Sequence, residues 1–413
     1  MNKLSIKNLC LAVFSASALL ALTGCASTTS KDSSEARIWR AVLVGTTDGK
    51  PVAKVFNVGE DELVKEFKLN SVAAIRPGRH AHELLLVSRE PGAVRTLHTG
   101  LREEDHGDHK HWMMKAPVLS EPVVVGPRPS HANPGEGAGN ARVAVFFDGD
   151  GIVRLFQPNA AQTDAATAEI NSGKPHHGIA VPLAQRGRLL LSRPAPEGTL
   201  PLGMNLVESN GQVVTVGPDC PRQHGDAAYK SMHFFGCAAH LLVFNEEQSS
   251  FRVVNYPAGT PPEQLVRNII ASPAQPQLLA DFGPNGLAVV DSRDMGMKPI
   301  DLGGKRLHFA WDRAEPRYVF ALTDDGRLHR LDTHTAKIEQ QASVMPAWTE
   351  AFGVKKDMPA PRLAVAAGRV IITDARQEHM HVLDARNLKQ LDILKLGMQV
   401  GSAALVSVVL DED

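Results

Sequence analysis

The sequence predicts an all-β protein, built as a single β-propeller of about eight four-stranded blades. Three observations lead to this prediction. Short runs rich in Val, Leu and Phe recur along the chain, Asp-Gly or Asn-Gly dipeptides separate many of them, and sustained helical periodicity is nearly absent. Such dipeptides suit tight hairpin turns, which need positive backbone φ angles. They stand at residues 48–49, 148–149, 210–211, 285–286 and 325–326.

A weak internal repeat supports the propeller over other all-β folds. The pattern of an apolar strand, a tight turn and a second apolar strand returns about every 40 to 50 residues, which is the length of one blade. It occurs at 143–156, 187–206, 232–244, 278–290, 318–331 and 363–383. From residue 36 onwards we count eight units, with seven blades as the second choice.

The two ends of the repeat predict how the ring closes. The last apolar strand, 403–410, has no strand after it to pair with, and the first strands, 38–44 and 52–58, have none before them. If these strands form one blade together, both exposed sheet edges disappear. We therefore expect the N-terminal and C-terminal strands to pair.

The N-terminus is typical of an export signal. Lys3 and Lys7 precede an apolar stretch, 9–22, and Leu22-Thr-Gly-Cys25 resembles the lipobox of bacterial lipoproteins, whose cysteine is acylated. We predict a signal peptide at 1–24, a lipid-anchored Cys25 with a flexible tether at 25–36, and the propeller at 37–413. The location would be the periplasm or cell envelope, with membrane contact through the lipid only. An ordinary cleaved signal is the alternative.

Charge and composition exclude some classes of function. The formal net charge is −1 and aromatic residues make up 5% of the chain, so neither a basic surface nor a stacking platform for nucleic acid is expected. Outside the N-terminal segment only Cys220 and Cys237 remain. In an oxidising compartment they predict a disulfide, and a pair of zinc-binding thiolates is the alternative.

The 17 histidines are unevenly spread, and one group is very dense. His106, His109 and His111 lie in a short polar stretch with Asp105 and Asp108, and we expect this stretch to be a mobile loop with a bend at Gly107. Imidazole nitrogen and carboxylate oxygen are zinc ligands where thiolates are absent. A solvated polar loop with opportunistic metal binding is the alternative.

A second group of histidines follows the blade period. His131, His177 (with His176 beside it) and His224 are separated by 46 and 47 residues. Residues at the same phase of successive blades occupy equivalent places around the axis, so we expect the three to converge near the mouth of the central channel. Three imidazoles and one further ligand would make a tetrahedral zinc site. The alternative is a chance match of three structural histidines.

Five motifs resemble one known family, the periplasmic zinc metallochaperones of the AztD type. The motifs are Glu104-Asp-His-Gly-Asp-His109, Pro129-Ser-His131, Pro175-His-His-Gly-Ile-Ala-Val-Pro182, Cys220-Pro-Arg-Gln-His-Gly225 and Phe235-Gly-Cys237. The resemblance implies a propeller with two zinc sites that hands zinc directly to the zinc-specific solute-binding protein of an ABC transporter. Some family members carry a long His-rich N-terminal tail, which is missing after Cys25.

We therefore expect a monomeric zinc metallochaperone that is not an enzyme and works by ligand exchange. Binding needs neutral imidazole, so zinc affinity should fall below about pH 6.5. A zinc-dependent hydrolase is one alternative, but the sequence has no HExxH-like or Gly-x-Ser-x-Gly pattern. The other is a protein-binding propeller scaffold with incidental metal binding.

Overall fold

The computed structural model describes residues 36–80, 82–107, 110–135, 142–157, 168–185, 187–312 and 315–410. The unit that begins at Ala36 forms one compact body. The predicted signal peptide, the acylated Cys25, Asp108 and His109 lie outside the described residues. The described part of the chain contains no helix with the length and hydropathy that a membrane crossing requires.

In the described residues, eight antiparallel sheets of four or five strands surround a central channel, which confirms the predicted eight-bladed propeller. Blade 1 contains β1 (Ala36–Thr47), β2 (Lys50–Asn57), β3 (Glu62–Lys68) and the last strand, β35 (Gln399–Leu410). Blade 2 contains β4 (Ala74–Pro77), β5 (Glu83–Ser88), β6 (Ala93–His98), β9 (Val118–Leu119) and β10 (Val124–Val125). Between β6 and β9 the chain forms a separate hairpin of β7 (Leu101–Asp105) and β8 (Lys110–Met114).

The remaining six blades each take four consecutive strands. Blade 3 is β11 (Pro129–Pro134), β12 (Val143–Phe147), β13 (Ile152–Phe156) and β14 (Ala168–Asn171). Blade 4 is β15 (Ala180–Pro182), β16 (Arg188–Pro194), β17 (Pro201–Glu208) and β18 (Val213–Asp219). Blade 5 is β19 (His224–Tyr229), β20 (Met232–Gly236), β21 (His240–Asn245) and β22 (Ser250–Asn255).

Blades 6 to 8 repeat this order. Blade 6 is β23 (Ile269–Ala271), β24 (Gln277–Phe282), β25 (Gly286–Asp291) and β26 (Met297–Asp301). Blade 7 is β27 (Arg306–Trp311), β28 (Tyr318–Thr323), β29 (Arg327–Asp332) and β30 (Lys337–Ser343). A 3₁₀ turn at Glu350–Phe352 precedes blade 8, which is β31 (Leu363–Ala366), β32 (Arg369–Asp374), β33 (His379–Asp384) and β34 (Gln390–Lys395).

The ring closes as the sequence predicts. Strand β1 pairs with β2 on one side and with β35 on the other, and Ala41 lies opposite Leu405. The C-terminal strand therefore supplies the inner edge of blade 1. This pairing removes the two sheet edges that an open ring would leave exposed.

The apolar core lies between neighbouring blades. Phe146 and Val153 of blade 3, for example, pack with Leu189 and Leu191 of blade 4 in one buried cluster. The second and third strands of each blade carry these clusters, because both of their faces are covered by adjacent blades. The first strand of each of blades 2 to 8 lines the channel, and these inner strands carry the candidate site.

Candidate metal centre

The three phased histidines come from the inner edges of three consecutive blades. His131 lies in β11, His177 lies just before β15, and His224 is the first residue of β19. Their ligand nitrogens all lie within 4.8 Å of one another, and the three side chains are partly buried. The structure thus brings together the residues that the blade period predicts.

The spacing of the nitrogens suits one small cation. His131 Nε2 lies 3.3 Å from His177 Nε2. Two nitrogens bound to one tetrahedral zinc at about 2.0–2.1 Å would lie about 3.4 Å apart. The ring centroid of His224 is 5.2 Å from that of His177 and 5.8 Å from that of His131. The three rings therefore surround one point instead of stacking on each other.

Two of the three rings are oriented by hydrogen bonds at the nitrogen that faces away. His177 Nδ1 donates to Asp148 Oδ2 at 2.9 Å, and His224 Nδ1 donates to the carbonyl of Arg267 at 2.8 Å. These bonds fix the tautomer that leaves Nε2 without a proton. An imidazole held in this way by a carboxylate or carbonyl is the usual arrangement behind a metal ligand.

Asp148 is itself firmly held. It accepts hydrogen bonds from Ser130 Oγ at 2.5 Å and from Arg89 Nη1 at 2.8 Å. Burial raises the pKa of this carboxyl, but the bonds from His177, Ser130 and Arg89 outweigh burial and the pKa is lowered. Asp148 is therefore ionised at neutral pH and stays a hydrogen-bond acceptor for His177.

Glycines after two of the histidines allow the close packing that the site needs. A Cβ at Gly178 would lie 2.3 Å from the ring of Phe146, and Gly225 has a φ of +69°. A Cβ at Gly225 would also lie 2.2 Å from the carbonyl oxygen of Arg267, the same oxygen that accepts the hydrogen bond from His224 Nδ1. Glycine is thus required beside His177 and His224 for local steric reasons.

Burial keeps the imidazoles of His131 and His224 neutral. It lowers the pKa of His131 well below 6.5, helped by the nearby charges of His177 and Arg76. Burial also lowers the pKa of His224, although the bond to Arg267 opposes the change. Both rings therefore offer a lone pair at neutral pH, which zinc binding requires.

His176 lies apart from this group, although the sequence places it beside His177. Its Nδ1 is 2.8 Å from the carbonyl of Lys174 and its Nε2 is 2.8 Å from Ser192 Oγ. The side chain is 3% exposed. Both ring nitrogens are thus used inside blade 4, and it is the ring of His177 that joins His131 and His224.

A second cluster lies on the β7–β8 hairpin. The ligand atoms of Glu104, His106 and His111 also lie within 4.8 Å of one another. Both His106 Nε2 and His111 Nε2 are 3.8 Å from Glu104 Oε2, and the two rings are stacked with centroids 4.6 Å apart. Lys115 Nζ binds the other oxygen, Glu104 Oε1, at 3.1 Å, and this bond lowers the pKa of the carboxyl.

The stretch predicted as a mobile loop is paired as a β-hairpin at both of its ends, with a turn between them. Glu104 and His111 are direct partners across the two strands, and only His106 lies in the turn. Gly107 does provide the expected bend, with a φ of +88°, and its N–H donates to Asp105 Oδ1 at 2.8 Å. Asp105 is therefore used to shape the turn.

Cys220 and Cys237 form the predicted disulfide. Their sulfurs lie near His240, so a reduced pair would offer two thiolates and an imidazole. The bond joins the segment before β19 to the end of β20, and both cysteines are fully buried. It thereby anchors the strand that begins with His224.

Two residues of these clusters were missed by sequence reasoning. In the sequence, Asp148 belongs to one of five Asp-Gly or Asn-Gly turns, and no local pattern distinguishes it from the first residues of the other four. Glu104 stands in the same acidic run as Glu103 and Asp105. Strand alternation could have placed it on the same face as His111, if the run had been recognised as a hairpin.

Comparisons with known proteins agree with the sequence resemblance. The chain is 25% identical to the zinc chaperone AztD of Citrobacter koseri over 355 residues, which is 85% of this chain and 82% of that protein. Its fold superimposes on the crystal structure of C. koseri AztD with a TM-score of 0.81 and 24% identity, covering 92% of this chain and all of the other. The chain is thus similar to AztD over most of its length. The apo structure of C. koseri AztD gives a TM-score of 0.78, with 25% identity over 90% of this chain and 98% of that one.

Other solved propellers share only the fold with this chain. The dihydro-haem d1 dehydrogenase NirN superimposes with a TM-score of 0.54 at 12% identity, over 88% of this chain and 74% of that one. No protein-family model matches the sequence. The likeness to AztD is therefore the comparison that bears on function.

Proposed function

We propose that this protein is a zinc metallochaperone that binds zinc at His131, His177 and His224 and passes it to another protein. The convergence of three imidazoles from three blades, with the outer nitrogens of two of them already hydrogen-bonded, is the observation that carries this proposal. The ligand set is neutral, so a bound zinc keeps its positive charge. A fourth position is left for water or for a ligand of the partner.

The hairpin cluster of Glu104, His106 and His111 would serve as a second zinc site. It contains an acidic ligand and its His106 side chain is 46% exposed, whereas the phased histidines lie at the channel. Lys115 already occupies one oxygen of Glu104, so zinc must compete with an ammonium group there. We infer that this site binds zinc more weakly and exchanges it faster, with His109 as a further ligand.

Transfer would proceed by stepwise ligand exchange. A zinc ion held by three neutral imidazoles has an open position that a partner's side chain can take before any histidine leaves. The partner we propose is the zinc-specific solute-binding protein of an ABC transporter, in the periplasm. The protein would act there as a monomer, anchored to the membrane through acylated Cys25, and would catalyse no reaction.

Zinc transfer can be tested directly by mixing the zinc-loaded protein with a metal-free zinc-specific solute-binding protein. We expect zinc to move to the partner faster than it dissociates into an excess of a small chelator, because direct exchange avoids free zinc. Equal rates in the two cases would contradict direct transfer. A His334→Ala variant is a matched control, since His334 is exposed and belongs to none of the candidate clusters, so the rate should stay unchanged.

The hairpin site has its own test. In a His106→Ala/His111→Ala variant we expect the weaker zinc to be lost and the tight one to remain. Loss of the tight zinc, or two zinc ions as in the wild type, would contradict the assignment. Zinc per protein after dialysis against buffers of graded free zinc gives the measurement.

A further inference from the structure

A cavity of about 430 Å³ lies on blade 2, beside the turn that joins β5 to β6. Its wall comes from the link between blades 1 and 2, from β5 and β6 with their turn, and from the segment around β10. Among the described residues, no member of either histidine cluster lines this cavity. A concave, mostly apolar pocket of this size with a few polar groups is the usual form of a small-molecule site.

Most of the cavity wall is apolar. It includes large aliphatic side chains and prolines, namely Leu69, Leu86, Val125, Pro91, Pro122 and Pro127. Leu86 is 1% exposed and belongs to the buried cluster shared by blades 1 and 2, whereas Val125 is 61% exposed. The cavity therefore reaches from the apolar core to the surface, and an apolar ligand would remove the exposed part of its wall from water.

Two polar side chains lie on one face of the β5–β6 pair. Ser88 is directly opposite Ala93, and Leu86 is directly opposite Arg95. Because side chains two residues apart on a strand share a face, these four residues lie on the same side of the sheet. All four line the cavity. Ser88 and Arg95 are thus diagonal neighbours along its wall, within reach of one small ligand.

Arg95 gives the cavity a positive charge that the protein does not compensate. It is the one charged residue among the described residues that line the cavity. Within the described part of the chain its guanidinium forms no ion pair or hydrogen bond, and the hydroxyl of Ser88 forms no hydrogen bond either. Both residues are partly exposed, so a ligand in the cavity can reach them.

We propose that this cavity binds a small organic carboxylate with an apolar body. The guanidinium of Arg95 can bind both oxygens of one carboxylate, and the hydroxyl of Ser88 can donate a further hydrogen bond. One negative charge balances the one positive charge of the wall, while the apolar body covers Leu86 and Val125. A neutral apolar molecule would gain nothing from Arg95, and a small inorganic anion would leave the apolar wall in water.

The test uses metal-free protein, so that a carboxylate cannot bind through zinc and the result is independent of the proposed zinc sites. Octanoate is titrated into the protein in a calorimeter, below the concentration at which it forms micelles. We expect one octanoate per protein, with weaker binding of acetate, which lacks the apolar body, and of 1-octanol, which lacks the charge. Absence of octanoate binding, or equal affinities for octanoate and 1-octanol, would overturn the proposal.

Two arginine variants separate the cavity from general binding of an apolar acid to the protein surface. Arg95→Gln should bind octanoate about 10-fold or more weakly than the wild type, because a hydrogen bond between charged groups is lost. Arg252 is an exposed arginine on the outer strand of blade 5, so Arg252→Gln makes the same change of charge away from the cavity. This control should keep the wild-type affinity. The proposal is wrong if the two variants bind octanoate equally well.

A third variant tests the cavity itself and keeps the proposal testable if Arg95→Gln does not fold. Ala93 lines the cavity on the same face as Arg95, so the larger side chain of Ala93→Leu would occupy the space and leave the guanidinium in place. We expect this variant to unfold cooperatively in urea and to bind octanoate less tightly than the wild type. Unchanged octanoate affinity in Ala93→Leu would place the binding elsewhere on the protein and overturn the site.

Discussion

At the scale of single residues, the roles of the histidines are decided by what their second nitrogen contacts. His177 and His224 use Nδ1 to bind Asp148 and the Arg267 carbonyl, and their Nε2 atoms remain for a metal. In His176, both ring nitrogens form hydrogen bonds, one with the Lys174 carbonyl and one with Ser192 Oγ. Adjacent residues of the same type thus have different chemistry because of their local contacts.

This difference predicts opposite effects for two neighbouring alanine substitutions. His177→Ala should abolish tight zinc binding with little change in stability, since the ring is partly exposed. His176→Ala should keep the tight zinc but lower the free energy of unfolding by about 1–3 kcal/mol, because a buried hydrogen-bonded group is lost. Zinc stoichiometry and urea unfolding, measured on both variants, check the assignment; the reverse pattern would show that His176 is the ligand.

Asp148 should act on zinc through His177 without touching the metal. Loss of such a partner costs about 10- to 100-fold in metal affinity, so Asp148→Asn should weaken zinc binding by this factor and leave the stoichiometry unchanged. Asp150→Asn is the control, because Asp150 lies in the same turn but binds Arg154. Competition with a chelator of known affinity provides the measurement, and equal affinities in the two variants would refute the role of Asp148.

At the scale of secondary-structure elements, the short inner strands place the ligands and the disulfide anchors one of them. Strand β19 begins with His224, four residues after Cys220, and Cys220 is bonded to Cys237 at the end of β20. In the hairpin β7–β8, strand pairing holds Glu104 opposite His111. Ligand positions therefore depend on the register of a few strands.

Removal of the disulfide should affect stability more than zinc stoichiometry. A loop closed by cysteines 17 residues apart contributes about 3 kcal/mol in the chain-entropy model. We expect the free energy of unfolding of Cys220→Ala/Cys237→Ala, measured with urea, to be lower by this amount. The variant should still bind its tight zinc. Loss of one zinc ion from an otherwise folded double variant would favour the thiolate site instead.

At the scale of the whole molecule, the blade period explains why the fold and the phased site could be predicted together. Closure by β1 and β35 and the convergence of His131, His177 and His224 both follow from one repeat of constant length. The hairpin that carries His106 and His111 breaks the repeat, and its strand pairing was not predicted. Asp148 could not be assigned from sequence either, because its contacts with Arg89, Ser130 and His177 join residues that no local pattern relates.

Buried neutral histidines should also make the whole propeller sensitive to acid. Burial, with the charges of His98 and His80, lowers the pKa of His82 to about 4, against 6.5 when unfolded. The unfolded chain therefore binds the proton first, and stability present above pH 6.5 is lost as the pH falls toward 4. When the pH falls from 7.5 to 5, the free energy of unfolding should decrease by about 1–2 kcal/mol less in His82→Asn than in the wild type, as measured by urea unfolding at both pH values. Equal decreases in the two proteins would contradict this account.

The central claim is that three phased histidines form one zinc site and the hairpin forms another. The most direct measurement is the number and affinity of zinc ions bound by the propeller, 37–413, in the wild type and in His131→Ala/His177→Ala/His224→Ala. We predict two zinc ions in the wild type, with only the weaker one left in the triple variant. A wild type without tight zinc, or a folded triple variant that keeps the tight zinc, would contradict the claim.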